Sequence, residues 1–145
     1  MIEQSGTGVL PKRIELAYDT AGQLTSLARF EGLADPQRVA DTTYVYDAAG
    51  RLTELLHAAP DGSTLAKYNY TYDAASRTTR FVSQTDGAAD FSYDPTGQLT
   101  AADYDYQADQ SLSYDLNGNR TIEGYVTGPN NQTTATVKGQ LLLRG

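Results

Sequence analysis

The chain has 145 residues, a length that fits one domain, and its 11 basic against 18 acidic side chains give a net charge of −7. No Lys/Arg cluster interrupts that acidic balance, which excludes a surface built to track phosphates, so no nucleic-acid partner is expected. Cysteine is absent, which excludes disulfides, thiolate metal sites and a thiol nucleophile.

Residues 1–13 read as a lead-in. Met1-Ile2-Glu3-Gln4-Ser5-Gly6 has neither the basic nor the apolar region of a signal peptide. No apolar run in the chain approaches the ~20 residues of a spanning helix, so no membrane insertion is expected. The 11 Tyr, against 3 Phe and no Trp, suit a half-buried pleated surface with packed rings and wet hydroxyls.

From residue 14 to residue 132 one pattern recurs, and repeats take precedence over any local reading. Five segments align: Tyr18-Asp19-Thr20-Ala21-Gly22-Gln23-Leu24-Thr25, Tyr46-Asp47-Ala48-Ala49-Gly50-Arg51-Leu52-Thr53, Tyr72-Asp73-Ala74-Ala75-Ser76-Arg77-Thr78-Thr79, Tyr93-Asp94-Pro95-Thr96-Gly97-Gln98-Leu99-Thr100 and Tyr114-Asp115-Leu116-Asn117-Gly118-Asn119-Arg120-Thr121. Their tyrosines are 28, 26, 21 and 21 residues apart, the length of one hairpin plus one connection.

Each residue type in the pattern has a mechanical reason. In Asp94-Pro95-Thr96-Gly97, proline presets φ for the second position of a type I turn. Glycine takes the left-handed conformation that completes a three-residue hairpin loop with a G1 bulge. The aspartate bonds backbone N–H groups two residues on. The turn then sets a register: Asp47 opposite Arg51, and Tyr46 opposite Leu52. By the same logic Tyr18 pairs with Leu24, and Tyr93 with Leu99. Alternation puts Tyr and Leu on one face, expected to point inward, and Asp and Arg on the other, expected to face solvent. Ser76 stands where the left-handed glycine belongs and Thr78 replaces the leucine, so the third unit is expected to be the weakest. Arg120 falls opposite Tyr114, where a guanidinium over the ring is expected.

Between turns, Thr43-Tyr44-Val45-Tyr46 and Tyr68-Asn69-Tyr70-Thr71-Tyr72 alternate as strands do. Breakers at Asp35-Pro36, Pro60-Asp61-Gly62, Asp86-Gly87 and Gly128-Pro129-Asn130-Asn131 mark connections. Residues 29–40 have room for a short helical turn, which Asp35-Pro36 keeps from being long. The expected fold is all-β: tandem hairpins in a curved antiparallel sheet.

The motif Tyr-Asp-x-x-Gly-(Arg/Gln)-Leu-Thr, at this spacing from Ile14 to Gln132, resembles the YD repeats of the RHS family. These occur in bacterial RHS polymorphic toxins, in insecticidal toxin-complex C components and in the extracellular region of animal teneurins. The resemblance implies hairpins coiled side by side into a hollow spiral shell, in a secreted or cell-surface bacterial setting. The shell's partners would be other YD-repeat segments of a parent protein, or an enclosed effector domain. Five hairpins are fewer than a shell needs, so the chain is expected to be a fragment of one. Residues 124–132 resemble the family's loop between hairpins, and residues 133–145 form a divergent tail. The family's self-cleaving segment carries Asp-Pro-x-Gly. Only Asp94-Pro95-Thr96-Gly97 matches, inside a Tyr-Asp turn, and no autoproteolytic role transfers to it.

Candidates for chemistry are few. His57 is the single histidine, placed in the connection after Leu55-Leu56 with no visible partner. The repeated Asp19, Asp47, Asp73, Asp94 and Asp115 read as turn caps rather than paired carboxylates. Asp115-Leu116-Asn117-Gly118-Asn119 is faintly like a calcium loop, but a bidentate Glu at the required spacing is missing, Glu123 being the nearest. Asp103, Asp105 and Asp109 read as a solvated loop. The triplets at Asn69, Asn119 and Asn131 match the glycosylation pattern by composition. No catalytic residue, cofactor or metal is therefore expected. The marked residues are those of the turns: Tyr18, Asp19, Gly22 and Leu24; Tyr46, Asp47, Gly50 and Leu52; Tyr72, Asp73 and Ser76; Tyr93, Asp94, Gly97 and Leu99; Tyr114, Asp115 and Gly118. A non-enzymatic shell segment is the first reading. The alternative is a carbohydrate- or protein-binding module using exposed Tyr side chains. Open sheet edges are expected to favour self-association or fraying.

Overall fold

Alternating side chains punctuated by turn formers make strands of most of the chain. The structure, a computed structural model, describes residues 1–7, 9–121, 126–127 and 133–135. No helix occurs among the described residues. The chain divides into two compact units, Met1–Ala88 and Ala89–Gly145.

In the first unit seven strands follow one another as an antiparallel meander: β1 (Ile2–Gly6), β2 (Val9–Tyr18), β3 (Leu24–Glu31), β4 (Gln37–Tyr46), β5 (Leu52–Ala58), β6 (Thr64–Tyr72) and β7 (Thr78–Ser83). The lead-in thus supplies β1, which pairs with β2. Residues 29–40 are the end of β3, a loop and the start of β4, with no helical turn. In the second unit β8 (Gly87–Tyr93, beginning at the unit boundary), β9 (Leu99–Tyr104) and β10 (Gln110–Ser111) are antiparallel neighbours. A separate pair joins β11 (Val126–Thr127) to β12 (Thr133–Ala135). Glu123, most of the loop at 124–132, Asn131 and residues 136–145 lie outside the described residues.

Register sorts the first unit into two faces. Leu16 opposes Leu27, Leu27 opposes Thr42, and Thr42 opposes His57. Tyr44 opposes Leu55, Leu55 opposes Tyr68, and Tyr70 opposes Phe81. Side chains directly opposite share a face, so these residues stand together with Ile14 on an apolar side. The other side carries Glu15, Thr43, Glu54, Lys67, Asn69 and Arg80, among others. There Glu54 accepts from Lys67 at 2.8 Å and from Asn69 at 3.3 Å, two cross-strand bonds that hold its carboxyl below the ordinary range. On the apolar side Phe81 contacts Tyr68 and Tyr70 at centroid distances of 5.9 and 5.4 Å.

The Tyr/Leu face is as expected, but it is not the inside of anything described. Among the described residues only Ala88, Ala89, Ala102 and Leu112 are buried apolar side chains, and only the two alanines Ala89 and Ala102 are fully so. Most strand residues are half-buried, as one layer of sheet must leave them.

Ser76 confirms its strained position with φ of 63°, against 79° to 90° at Gly22, Gly50, Gly97 and Gly118. Replacing Ser76 by glycine removes the left-handed penalty at the cost of one long hydroxyl contact to Arg51 (3.4 Å). Ser76→Gly is expected to stabilise the chain by about 1 kcal/mol, read as a raised urea midpoint at unchanged slope.

Candidate functional site

All five Tyr-Asp segments reverse the chain in one way. The Asp N–H donates to the carbonyl four residues on, and the fifth-position N–H donates back to the Asp carbonyl, at 2.9–3.1 Å throughout. One carboxylate oxygen of each Asp accepts two further N–H groups. Asp19 takes those of Ala21 and Gln23, and Asp47 those of Ala49 and Arg51. Asp73 takes those of Ala75 and Arg77, Asp94 those of Thr96 and Gln98, and Asp115 those of Asn117 and Asn119. The pairs Tyr18–Leu24, Tyr46–Leu52, Tyr72–Thr78, Tyr93–Leu99 and Tyr114–Arg120 form in the register derived from the turn.

What the turn logic does not give is the traffic between neighbouring hairpins. The Tyr46 hydroxyl donates to the Leu24 carbonyl (2.9 Å), Tyr72 to Leu52 (2.6 Å) and Tyr114 to Leu99 (2.9 Å). Each tyrosine therefore reaches back to the carbonyl of the motif's leucine one hairpin earlier. In the opposite direction, Gln23 donates to the Gly50 carbonyl (3.0 Å) and Arg51 to the Asp73 carbonyl (2.8 Å). Arg51 also holds Asp47 of its own turn at 2.7 Å and lies over the Tyr72 ring at 4.9 Å. This corrects the solvent-facing expectation for the Asp/Arg pair. The Asp47 and Arg51 side chains are only 24% and 26% exposed, because the arginine is laid along the next hairpin. Guanidinium-over-ring contacts form at Arg51–Tyr72 and Arg13–Phe30 rather than at Arg120–Tyr114. The motif's threonine has a task as well: Thr25 and Thr53 donate across the bulge to the Ala17 and Val45 carbonyls (3.2 Å each).

Against this row of laced turns, the family model of the teneurin YD-shell matches residues 8–141. The chain belongs to the teneurin YD-shell family. Two solved structures share its fold at 19% identity. The crystal structure of TcdB2-TccC3-Cdc42 gives a TM-score of 0.53 over 86% of this chain and 9% of that one. The crystal structure of TcdB2-TccC3-TEV gives 0.50 over 83% and 8%. The Photorhabdus luminescens Tc holotoxin pore, also 19% identical, gives 0.49 over 83% and 8%. This chain thus spans less than a tenth of the proteins it resembles. No curated protein matches.

The remaining candidates take structural places in this YD-shell segment. His57 lies within β5, not in a connection. Its Nδ1 is 2.8 Å from the hydroxyl of Thr42, a fully buried residue that also accepts from Arg29 at 2.8 Å. Asp115 is occupied by its own turn, including the Asn119 side-chain amide at 2.9 Å. Asp109 caps the Tyr104 N–H (2.8 Å) and so closes the loop after β9. Asn69 lies in β6, bonded to Glu54. Among the described residues no three His, Asp or Glu side chains are grouped to hold a metal ion.

The turn hydrogen bonds hold four carboxyls below their ordinary value of 3.8. The Arg51 N–H and guanidinium do so for Asp47, and the Arg77 N–H for Asp73. The Thr96 hydroxyl does so for Asp94, and the Asn119 amide for Asp115. A carboxyl lowered by folding stabilises the fold above its unfolded value, and that contribution disappears as pH falls through the folded value. Unfolding free energy is therefore expected to fall as pH drops below 3.8. Paired Asp47→Asn and Asp73→Asn substitutions should flatten that fall in urea titrations across the acid range. Tyr72→Phe, which deletes the bond to the Leu52 carbonyl, should cost about 1 kcal/mol at neutral pH.

Proposed function

We propose that this chain is a stretch of wall in a larger YD shell, with no chemistry of its own, and that the shell encloses a polypeptide effector in a secreted bacterial toxin. The observation that carries the reading is where the repeated polar groups go. The motif's tyrosine hydroxyls and its Gln or Arg side chains engage the hairpin before or the hairpin after, as in Tyr46–Leu24, Tyr72–Leu52, Gln23–Gly50 and Arg51–Asp73. A surface whose repeated geometry serves its own lateral growth is what a wall requires. The TccC3-containing structures of like fold support the toxin setting, and the half-buried apolar face of the first unit supplies a lining.

The same contacts favour a wall over a glycan platform. Stacking on sugars needs free ring faces, whereas the Arg51 guanidinium lies over the Tyr72 ring and Tyr68 is stacked on Phe81.

The test is protease protection of the larger protein. With the native wall, a downstream effector segment should survive trypsin for as long as the shell itself does. Combining Arg51→Ala with Tyr72→Ala, which unlaces neighbouring hairpins, should expose that segment first. Rapid effector digestion in the native protein, at the rate seen for the unlaced variant, sinks the enclosure reading.

A further inference from the structure

The residue after the left-handed position is Gln23, Arg51, Arg77, Gln98 or Asn119 in the five turns. Glutamine and arginine do not approach the next turn in the same way. The Gln23 amide rests on the following turn's glycine: its Nε2 bonds the Gly50 carbonyl and stands 3.2 Å from where a Gly50 Cβ would sit. Gln98 repeats this, its Nε2 standing 3.1 Å from the Cβ position of Gly118. Both distances are tighter than an ordinary Cβ contact, so a side chain there would push the amide back by a few tenths of an ångström. Arg51 takes another course. Its guanidinium is tied to Asp47 at one edge and reaches the Asp73 carbonyl, the start of the next turn, with the other. The left-handed position is then left clear, and that turn carries Ser76, whose hydroxyl lies 3.4 Å from Nη1.

We propose that this side chain is a recognition residue for the neighbouring hairpin: glutamine favours a glycine turn beside it, whereas arginine accommodates serine as well. The partner surface is the fifth position of the next Tyr-Asp turn together with its open carbonyls. The rule decides which hairpins can stand next to one another, and it holds whatever the shell encloses. A backbone argument alone explains why glycine is favoured at each turn. It does not explain why the tolerated exception follows Arg51 while Gly50 and Gly118 follow glutamines.

The test is a coupling measurement on the complete chain, because independent sites add and touching ones do not. Ser76→Gly is introduced into the native chain and into Arg51→Gln, and the shift in urea midpoint is compared. The gain should be clearly larger beside glutamine, since the substitution there relieves strain and contact together. Equal gains in the two backgrounds overturn the proposal. If Arg51→Gln alone does not fold, adding Ser76→Gly should restore folding, and a double variant that stays unfolded counts against the rule. In the reverse direction, Gly50→Ser should lower the midpoint less when combined with Gln23→Arg than alone. An equal or larger loss in the combination also overturns it.

Discussion

In each turn one aspartate carboxylate oxygen takes two backbone N–H groups that bond no carbonyl, and the fold depends on that pair of bonds. In the Asp47 turn the backbone closes two bonds by itself, Asp47 N–H to Arg51 and Gly50 N–H to Asp47. The exposed Ala48 N–H is left to solvent, and Asp47 Oδ1 accepts those of Ala49 and Arg51. Polar backbone groups must find partners, so aspartate converts a loose loop into a rigid corner. A rigid corner fixes where the flanking Tyr and the following Gln or Arg emerge. Both then point along the row of turns, one to each side, and the hairpins can be laced.

That lacing matters because one sheet layer has little interior. Thr42 is the largest fully buried side chain among the described residues, and its burial is made tolerable by Arg29 and His57. Where a globular domain relies on a core, this segment relies on a sum of neighbour terms. They are cross-strand rings such as Tyr68–Phe81, the carbonyl bonds of Tyr46 and Tyr72, and the bridging of Arg51. Stability spread over many small contacts absorbs the backbone strain of a single turn such as that of Ser76.

Local chemistry was legible in the sequence, and lateral chemistry was not. The turn type, the left-handed residue including Ser76, the Asp cap and the Tyr–Leu register all follow from residues within eight positions of one another, and each is found as expected. Tyr46–Leu24 and Arg51–Asp73 are 22 residues apart, and no spacing rule marks their partners. The alternation did place tyrosine and leucine on one face, but it cannot say whether a second layer covers that face. Ala59-Pro60-Asp61-Gly62 shows a different miss. It folds as the same turn, with Gly62 N–H on the Ala59 carbonyl, and its x-Pro-x-Gly pattern matches Asp94-Pro95-Thr96-Gly97. Without Tyr-Asp in front it reads only as a connection. His57 was misplaced because Leu55-Leu56-His57 lacks strict alternation, while the partner that holds it, Thr42, lies on another strand.

The bonds that make these aspartates good corners also make them poor catalysts. A general base needs a lone pair free to take a proton, and a general acid at neutral pH needs a carboxyl raised toward neutrality. Asp47 and Asp73 have one oxygen on two N–H groups and the other on an arginine, and both are lowered. Asp94 and Asp115 are lowered by a threonine hydroxyl and an asparagine amide. They are ionised at neutral pH, and one oxygen of each already holds two backbone N–H groups. A repeat that uses its carboxylates in this way gains rigidity at every reversal and gives up the free, protonatable oxygens that acid–base chemistry requires.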